Sequence, residues 1–198
     1  MKRGEKAGKR QEIIITGFGG QGIVLAGRIL GEAAGLGDHL ESTLVQSYGP
    51  EARGGACSAQ VITSDEQIFY PYVRQPDILA CLSQSGYEKF IDILKDNGTL
   101  LVDRDLVHPH ERSRAYFAIP ATRIAEELGH KMMANIIMLG FLVSITGAVS
   151  VDATKDAVSR SVPRGTEELN LKAFAKGCDF GLATLKGLKK KAQGQTRA

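Results

Sequence analysis

Residues 13–30 read IIITGFGGQGIVLAGRIL. The run Glu12–Thr16 is apolar and β-branched, which predicts a buried strand. From Gln21 to about Gly35 the pattern becomes helical, with Ile23, Ala26, Leu30 and Ala33 near one face. Between them, Gly17, Gly19 and Gly22 fit G-x-G-x-x-G, and the strand-turn-helix setting is the one a dinucleotide site requires. In such a site Gly17 permits the sharp turn, Gly19 lets backbone approach a ligand, and Gly22 allows close helix–strand packing. Amides at that helix start could receive an anion.

A dinucleotide site also needs an acid at the end of the second strand, to hold the ribose. Glu41 has the right separation from Gly22 but precedes the predicted strand Ser42–Ser47, which puts it at the wrong end of the sheet. What leaves the correct end is SYGPEARGG, residues 47–55. Pro50 stiffens that loop, and Gly49, Gly54 and Gly55 permit dihedrals barred to other residues. Glu51 and Arg53 are thereby presented from constrained backbone, and a guanidinium suits a carboxylate or phosphate. Open α/β sheets bind ligands at the carboxyl ends of their strands. The candidate rim is therefore Gly17, Gly19, Gly20, Gln21 and Gly22, facing Tyr48, Glu51, Arg53, Gly54 and Gly55. Three readings stay open for the turn: a dinucleotide, another ligand or partner segment, or a purely structural tight turn.

The remaining chain predicts further strands at Ala56–Thr63, Asp77–Leu82, Thr99–Asp103 and Ala115–Ile119. SDE after the first of these suggests a hairpin with EQIFYP. Gly86–Lys95 reads as a helix turning Phe90, Ile93 and Leu94 inward. After Pro120 only helical patterns follow, the last opening at Thr166 as N-cap with an apolar stripe of Leu171, Phe174, Cys178, Leu182 and Leu185. Strands alternating with helices, then helices alone, predict an α/β, mainly parallel Rossmann-like three-layer sheet with a small hairpin and a helical C-terminal part. The predicted organisation is a basic disordered tail over 1–10, a single domain over 11–188 and a second basic disordered tail over 189–198.

Charge sits in those ends. Residues 1–10 hold five Lys/Arg and one acid, and residues 186–198 hold five Lys/Arg and no acid, so the overall +3 conceals an acidic body. A nucleic-acid binder concentrates its positive charge on a folded face, so no nucleic-acid partner is expected. Cys57, Cys81 and Cys178 are far apart and form no C-x-x-C, so neither a zinc knuckle nor an iron–sulfur cluster can be built from them alone. Free thiols without a secretory leader predict a cytoplasmic protein. Met132–Val151 is free of charge, but Asn135, Ser144, Thr146 and Ser150 dilute it. A helix buried in the fold, not a membrane span, is expected. His108 and His110 flank a proline among acids, in a pattern that fits an exposed loop better than a metal site.

Taken together, several stretches resemble the gamma subunit of 2-oxoacid:ferredoxin oxidoreductases. They are ITGFGGQGIVLAGRILGEAA, SYGPEARGG with ACSAQVITSDEQI, PDILACLSQSGYEKF, KDNGTLLVD, ATRIAEELGH with MMANIIMLGFL, and EELNLKAF. They run in order from about Glu12 to Leu185, and YGPEARGG looks most like the 2-oxoglutarate branch, with pyruvate and indolepyruvate relatives as neighbours. The resemblance implies a coenzyme A-dependent oxidative decarboxylation that yields acyl-CoA and CO2 and reduces ferredoxin. It places thiamine diphosphate, Mg and iron–sulfur clusters on alpha, beta and, where present, delta subunits. This chain would bind none of them alone, carry no catalytic residue or metal of its own, and shape and shield the shared site. Isolated, it is expected to be inactive and to self-associate through its exposed interface. The competing reading is a free-standing dinucleotide-binding or regulatory module.

Overall fold

A computed structural model describes residues 10–47, 56–110 and 115–195. Six strands form one sheet: β1 (Gln11–Phe18), β2 (Glu41–Ser47), β3 (Ala56–Ser64), β4 (Ile78–Cys81), β5 (Thr99–Asp103) and β6 (Tyr116–Ile119). Their spatial order is β2-β3-β1-β4-β5-β6. The β1–β4, β4–β5 and β5–β6 ladders are parallel, whereas β3 runs antiparallel to both of its neighbours, β1 and β2. Five strands thus point one way and β3 alone is reversed, which agrees with the mainly parallel sheet expected.

The expected hairpin after β3 does not form. Residues 65–77 contain no strand, and Val73 instead donates its backbone N–H to the Gln60 side chain at 3.3 Å. Both edges of β3 are already paired, by β1 and β2, so no edge remains for a returning strand. The antiparallel partner is β2, reached across residues 48–55.

Helices cover the two faces unequally. α1 (Ile23–Glu32), α3 (Ala121–Glu127), α4 (Ala134–Thr146), α5 (Val151–Ser161) and α6 (Glu167–Gln195) share one core with Ile13, Ile15, Val61 and Ala80. The opposite face, carrying Ile14, Ile62, Leu79 and Leu100, is covered mainly by α2 (Gln84–Phe90) through Tyr87 and Phe90. Alternate residues of β1 therefore serve opposite cores, as the period of two in a strand demands. α2 gives way to a tighter 3-10 turn at Ile91–Ile93, and this rotation leaves Ile93 exposed although Phe90 and Leu94 are buried.

α4 is buried from Ala134 to Val143 on all sides, which explains the uncharged stretch 132–151. Among the described residues no helix is long and apolar enough to cross a membrane. α6 lies against α4 at small residues: an added Cβ on Gly177 would strike the Ile137 carbonyl, and one on Gly140 the Phe174 carbonyl. The apolar stripe of α6 is buried at Phe174 and Cys178, but Leu182 is exposed, one residue past Gly181, whose Cβ position abuts Ser144 near the end of α4. The Thr166 hydroxyl donates to the Pro163 carbonyl and accepts from the Asn170 amide, so it does not cap the helix as expected. α6 also continues to Gln195, so residues 189–195 are helical where composition alone predicts a disordered tail.

The α4–α6 contact makes a paired prediction. Gly177→Ala should destabilise the chain by about 1–3 kcal/mol or more through backbone overlap. Gly187→Ala, where no atom lies within 4 Å, should be neutral or slightly stabilising. Urea unfolding of both variants checks this.

Candidate functional site at the glycine turn

β1 ends at Phe18, and the chain reverses through Gly20 (φ 96°) and Gly22 (φ 71°) into α1. Both φ values lie in the left-handed region, where a side chain would be strained. The side chain of Gln21 folds back over this turn. Its Oε1 accepts the Phe18 backbone N–H at 2.6 Å, and its Nε2 donates to the Leu82 carbonyl at 3.2 Å. Leu82 directly follows β4, so one carboxamide ties together the ends of two parallel strands. Gly17 is glycine for this reason: a Cβ there would collide with Gln21 Oε1 and with the Ile23 side chain.

The junction of β1 and β4 is where the connections diverge, α1 covering one face and α2 the other. In open α/β sheets this crevice is where a nucleotide lies. Here the chain's own carboxamide fills it and uses the amide a ligand would need. Glu41 pairs with Ser64 at the opposite edge of the sheet, so no ribose-binding acid approaches the turn from β2. The classical dinucleotide reading thus lacks its ribose-binding acid, and the carboxamide of Gln21, expected at the rim, is engaged within the chain.

On the other flank of the turn, the Gly22 carbonyl accepts both the Ala26 N–H at 3.0 Å and the Asn135 side-chain Nδ2 at 2.9 Å. Asn135 is 2% exposed, and a Cβ on Gly22 would run into its carboxamide. The amide orientation is set by the Gly22 carbonyl, which needs a donor. Asn135 Oδ1 is consequently left buried with no hydrogen-bond partner among the described residues, a condition that costs about 1–3 kcal/mol until a donor reaches it. Asn135 belongs to the first turn of α4, so the N-termini of α1 and α4 converge here. Neither first turn contains an acid, and the positive ends of the two helix dipoles meet at one place.

Beside them lies a cavity of about 370 Å³, lined by Phe18, Gly19, Gly20, Ile23, Cys57 and Met132 among others. Met132 is 65% exposed at its mouth. The register places Ala56 opposite Phe18, Cys57 opposite Gly17 and Ser58 opposite Ser47. The two ends of the segment 48–55 therefore flank the glycine turn at one edge of the sheet. Tyr48, Glu51, Arg53, Gly54 and Gly55 themselves lie outside the described residues.

Other candidates do not assemble. The His110 ring is tilted against the Tyr87 ring, and the His110 backbone N–H donates to the Tyr87 hydroxyl at 3.3 Å. Asp103 is buried and accepts from the Thr122 N–H and hydroxyl at 2.8 and 2.6 Å, anchoring the start of α3. Among the described residues no group of three or more His, Cys, Asp or Glu is placed to hold a metal ion. The three thiols are separate and buried, and burial raises the pKa of each. In the sequence Asn135 is one polar residue of a helix expected to be buried; its reach to Gly22 and the place of Met132 in the cavity lining arise only in the fold. The one available signal was a lone amide at the start of an uncharged helix.

Two outcomes follow. Gln21→Ala removes both hydrogen bonds and leaves the Phe18 N–H without its acceptor, so stability should fall by about 1–3 kcal/mol at unchanged denaturant m-value. A thiol reagent at neutral pH should label the native chain slowly at all three cysteines and rapidly after unfolding. Because burial holds these thiols protonated, the unfolded chain releases protons first. The thiols' contribution to stability should be constant below their ordinary pKa of about 8.5 and decline above it.

The family model for pyruvate ferredoxin/flavodoxin oxidoreductases matches residues 12–180. The chain is 52% identical over 172 residues to the 2-oxoglutarate synthase subunit KorC of Methanocaldococcus jannaschii, covering 85% of this chain and 92% of that one. Among solved structures it is similar to the keto/oxoacid ferredoxin oxidoreductase gamma subunit of Geobacter sulfurreducens, with a TM-score of 0.81, 41% identity, and coverage of 88% of this chain and 98% of that one. It is also similar to part of the 2-oxoglutarate:ferredoxin oxidoreductase of Magnetococcus marinus, solved with 2-oxoglutarate, coenzyme A and succinyl-CoA bound. That match has a TM-score of 0.78 and 26% identity, and it covers 88% of this chain but 31% of the larger one.

Proposed function

The chain belongs to the pyruvate ferredoxin/flavodoxin oxidoreductase family, as the gamma subunit of a 2-oxoacid:ferredoxin oxidoreductase, and we propose that its assembly oxidises 2-oxoglutarate. The observation that carries this reading is the 52% identity to a 2-oxoglutarate synthase subunit along nearly its whole length. The reaction converts a 2-oxoacid and coenzyme A into acyl-CoA and CO2, releasing two electrons and a proton, with the electrons passing to ferredoxin. Thiamine diphosphate with Mg and iron–sulfur clusters would supply the decarboxylation and electron transfer, and alpha, beta and, where present, delta subunits would hold them. The described residues of this chain do not suit those groups: its thiols are separate and buried, and its acids and histidines do not cluster.

The contribution of this chain is a wall to the shared site. Gly19 and Gly20 expose backbone at the cavity, while the first turns of α1 and α4 favour an anionic group there. The segment 48–55 completes the rim, with Arg53 pairing a phosphate of coenzyme A or a carboxylate of the oxoacid, and Tyr48 and Glu51 adding polar contacts beside Gly54 and Gly55. Such a wall excludes water and orients groups whose chemistry lies elsewhere.

Co-expression with the partner subunits tests this. Coenzyme A-dependent reduction of a low-potential acceptor should show its highest kcat/KM with 2-oxoglutarate across a panel of 2-oxoacids, and the isolated chain should show no turnover. A clear preference for pyruvate would sink the substrate assignment. Arg53→Ala should raise the KM for coenzyme A or for the oxoacid by about 10-fold or more. Unchanged constants in that variant would remove Arg53 from the rim.

A further inference from the structure

β2 forms one edge of the sheet and is paired on one side only, by β3. The strand at the other edge, β6, has four residues, whereas β2 has seven. A short edge strand resists pairing with another chain, and a long one is ordinarily guarded by charge, proline or a bulge. Beyond Glu41 at its start, β2 (ESTLVQS) holds no charge and no proline. Its ladder with β3 runs residue for residue from Glu41 to Ser47, without a bulge.

Apolar surface adjoins this edge. A shallow groove of about 360 Å³ lies between α1 and β2, lined by Leu36, Leu44, Ser42 and Thr43 among others. Leu36 is 68% exposed and Leu44 36%. Ser42 and Leu44 face α1: the Ser42 hydroxyl donates to the Gly31 carbonyl at 2.9 Å, and the Leu44 side chain abuts the Cβ position of Gly27. Thr43 and Val45 therefore point to the opposite face of the sheet.

The chain itself carries a surface that matches this edge. An antiparallel pair of β2 strands about a two-fold axis at Leu44 sets Leu44 against Leu44, Thr43 against Val45 and Ser42 against Gln46. Leucine meets leucine, a β-branched residue meets a β-branched one, and polar meets polar. Glu41 stands opposite Ser47, and the two Glu41 carboxylates lie about 20 Å apart, so no like charges oppose each other. This register also gathers Leu36 and Leu44 of both copies on one face, closing the groove at its centre. A slip of one residue would put the two leucine clusters on opposite faces.

We propose that β2 is a self-pairing edge, through which two copies of this chain join their sheets into one about a two-fold axis at Leu44. Sedimentation of the full chain over a range of concentrations should show a monomer–dimer equilibrium. Leu44→Lys sets two ammonium groups opposite each other and should raise the dimer dissociation constant by about 10-fold or more. Its thermal melt, taken where both chains are monomeric, should stay close to that of the unaltered chain. A pair of cysteine variants reads the register without relying on Leu44→Lys. Opposing Cβ atoms lie about 5 Å apart, so a short thiol cross-linker should join Leu44→Cys into a dimer but not Glu41→Cys. The native thiols are buried and do not compete. A chain that stays monomeric throughout, or equal cross-linking of the two cysteine variants, would overturn the proposal. So would protection of the β2 amides from hydrogen exchange that arises only when co-expressed alpha and beta subunits are bound, since a different subunit would then cover the edge.

Discussion

The carboxamide of Gln21 is the constraint on which the carboxyl edge of the sheet depends. By accepting from Phe18 and donating to Leu82, it joins β1 to β4 where a nucleotide-binding fold of this kind would leave a crevice. It also sets the identity of Gly17, since any side chain there would occupy the same space. The cavity at the converging N-termini of α1 and α4 lies beside this closed crevice.

A second brace works from the opposite direction. Asn135 holds Gly22 in its left-handed conformation from α4, far away in the sequence. α4 is itself held by α6 through glycines that bring the two backbones into contact. Small residues and one carboxamide thus connect the helical C-terminal part to the turn.

The reversed strand β3 has a similar consequence at larger scale. Inserted between β1 and β2, it separates the two strands that flank a dinucleotide in the parallel fold, and it brings both ends of residues 48–55 beside the glycine turn. One topological change removes the ribose-binding position and sets the ends of β2 and β3 beside the turn. Because β3 is paired on both sides, the polypeptide after it cannot return as a strand, and it crosses the molecule as an irregular segment.

Local patterning determined the strands, the glycine turn, the buried character of α4 and the acidic body between basic ends, because each depends on residues close together in the sequence. The misplacement of Glu41 was likewise legible, since it needs only the position of one acid relative to one strand. Tertiary structure alone decided that β3 has no free edge, that Gln21 fills the crevice and that Asn135 reaches Gly22. Each of these joins residues dozens of positions apart, and no local periodicity reports such a meeting. The same holds for α6: its helical propensity is written in its residues, but which of its apolar side chains are covered is decided by the helices packed against it.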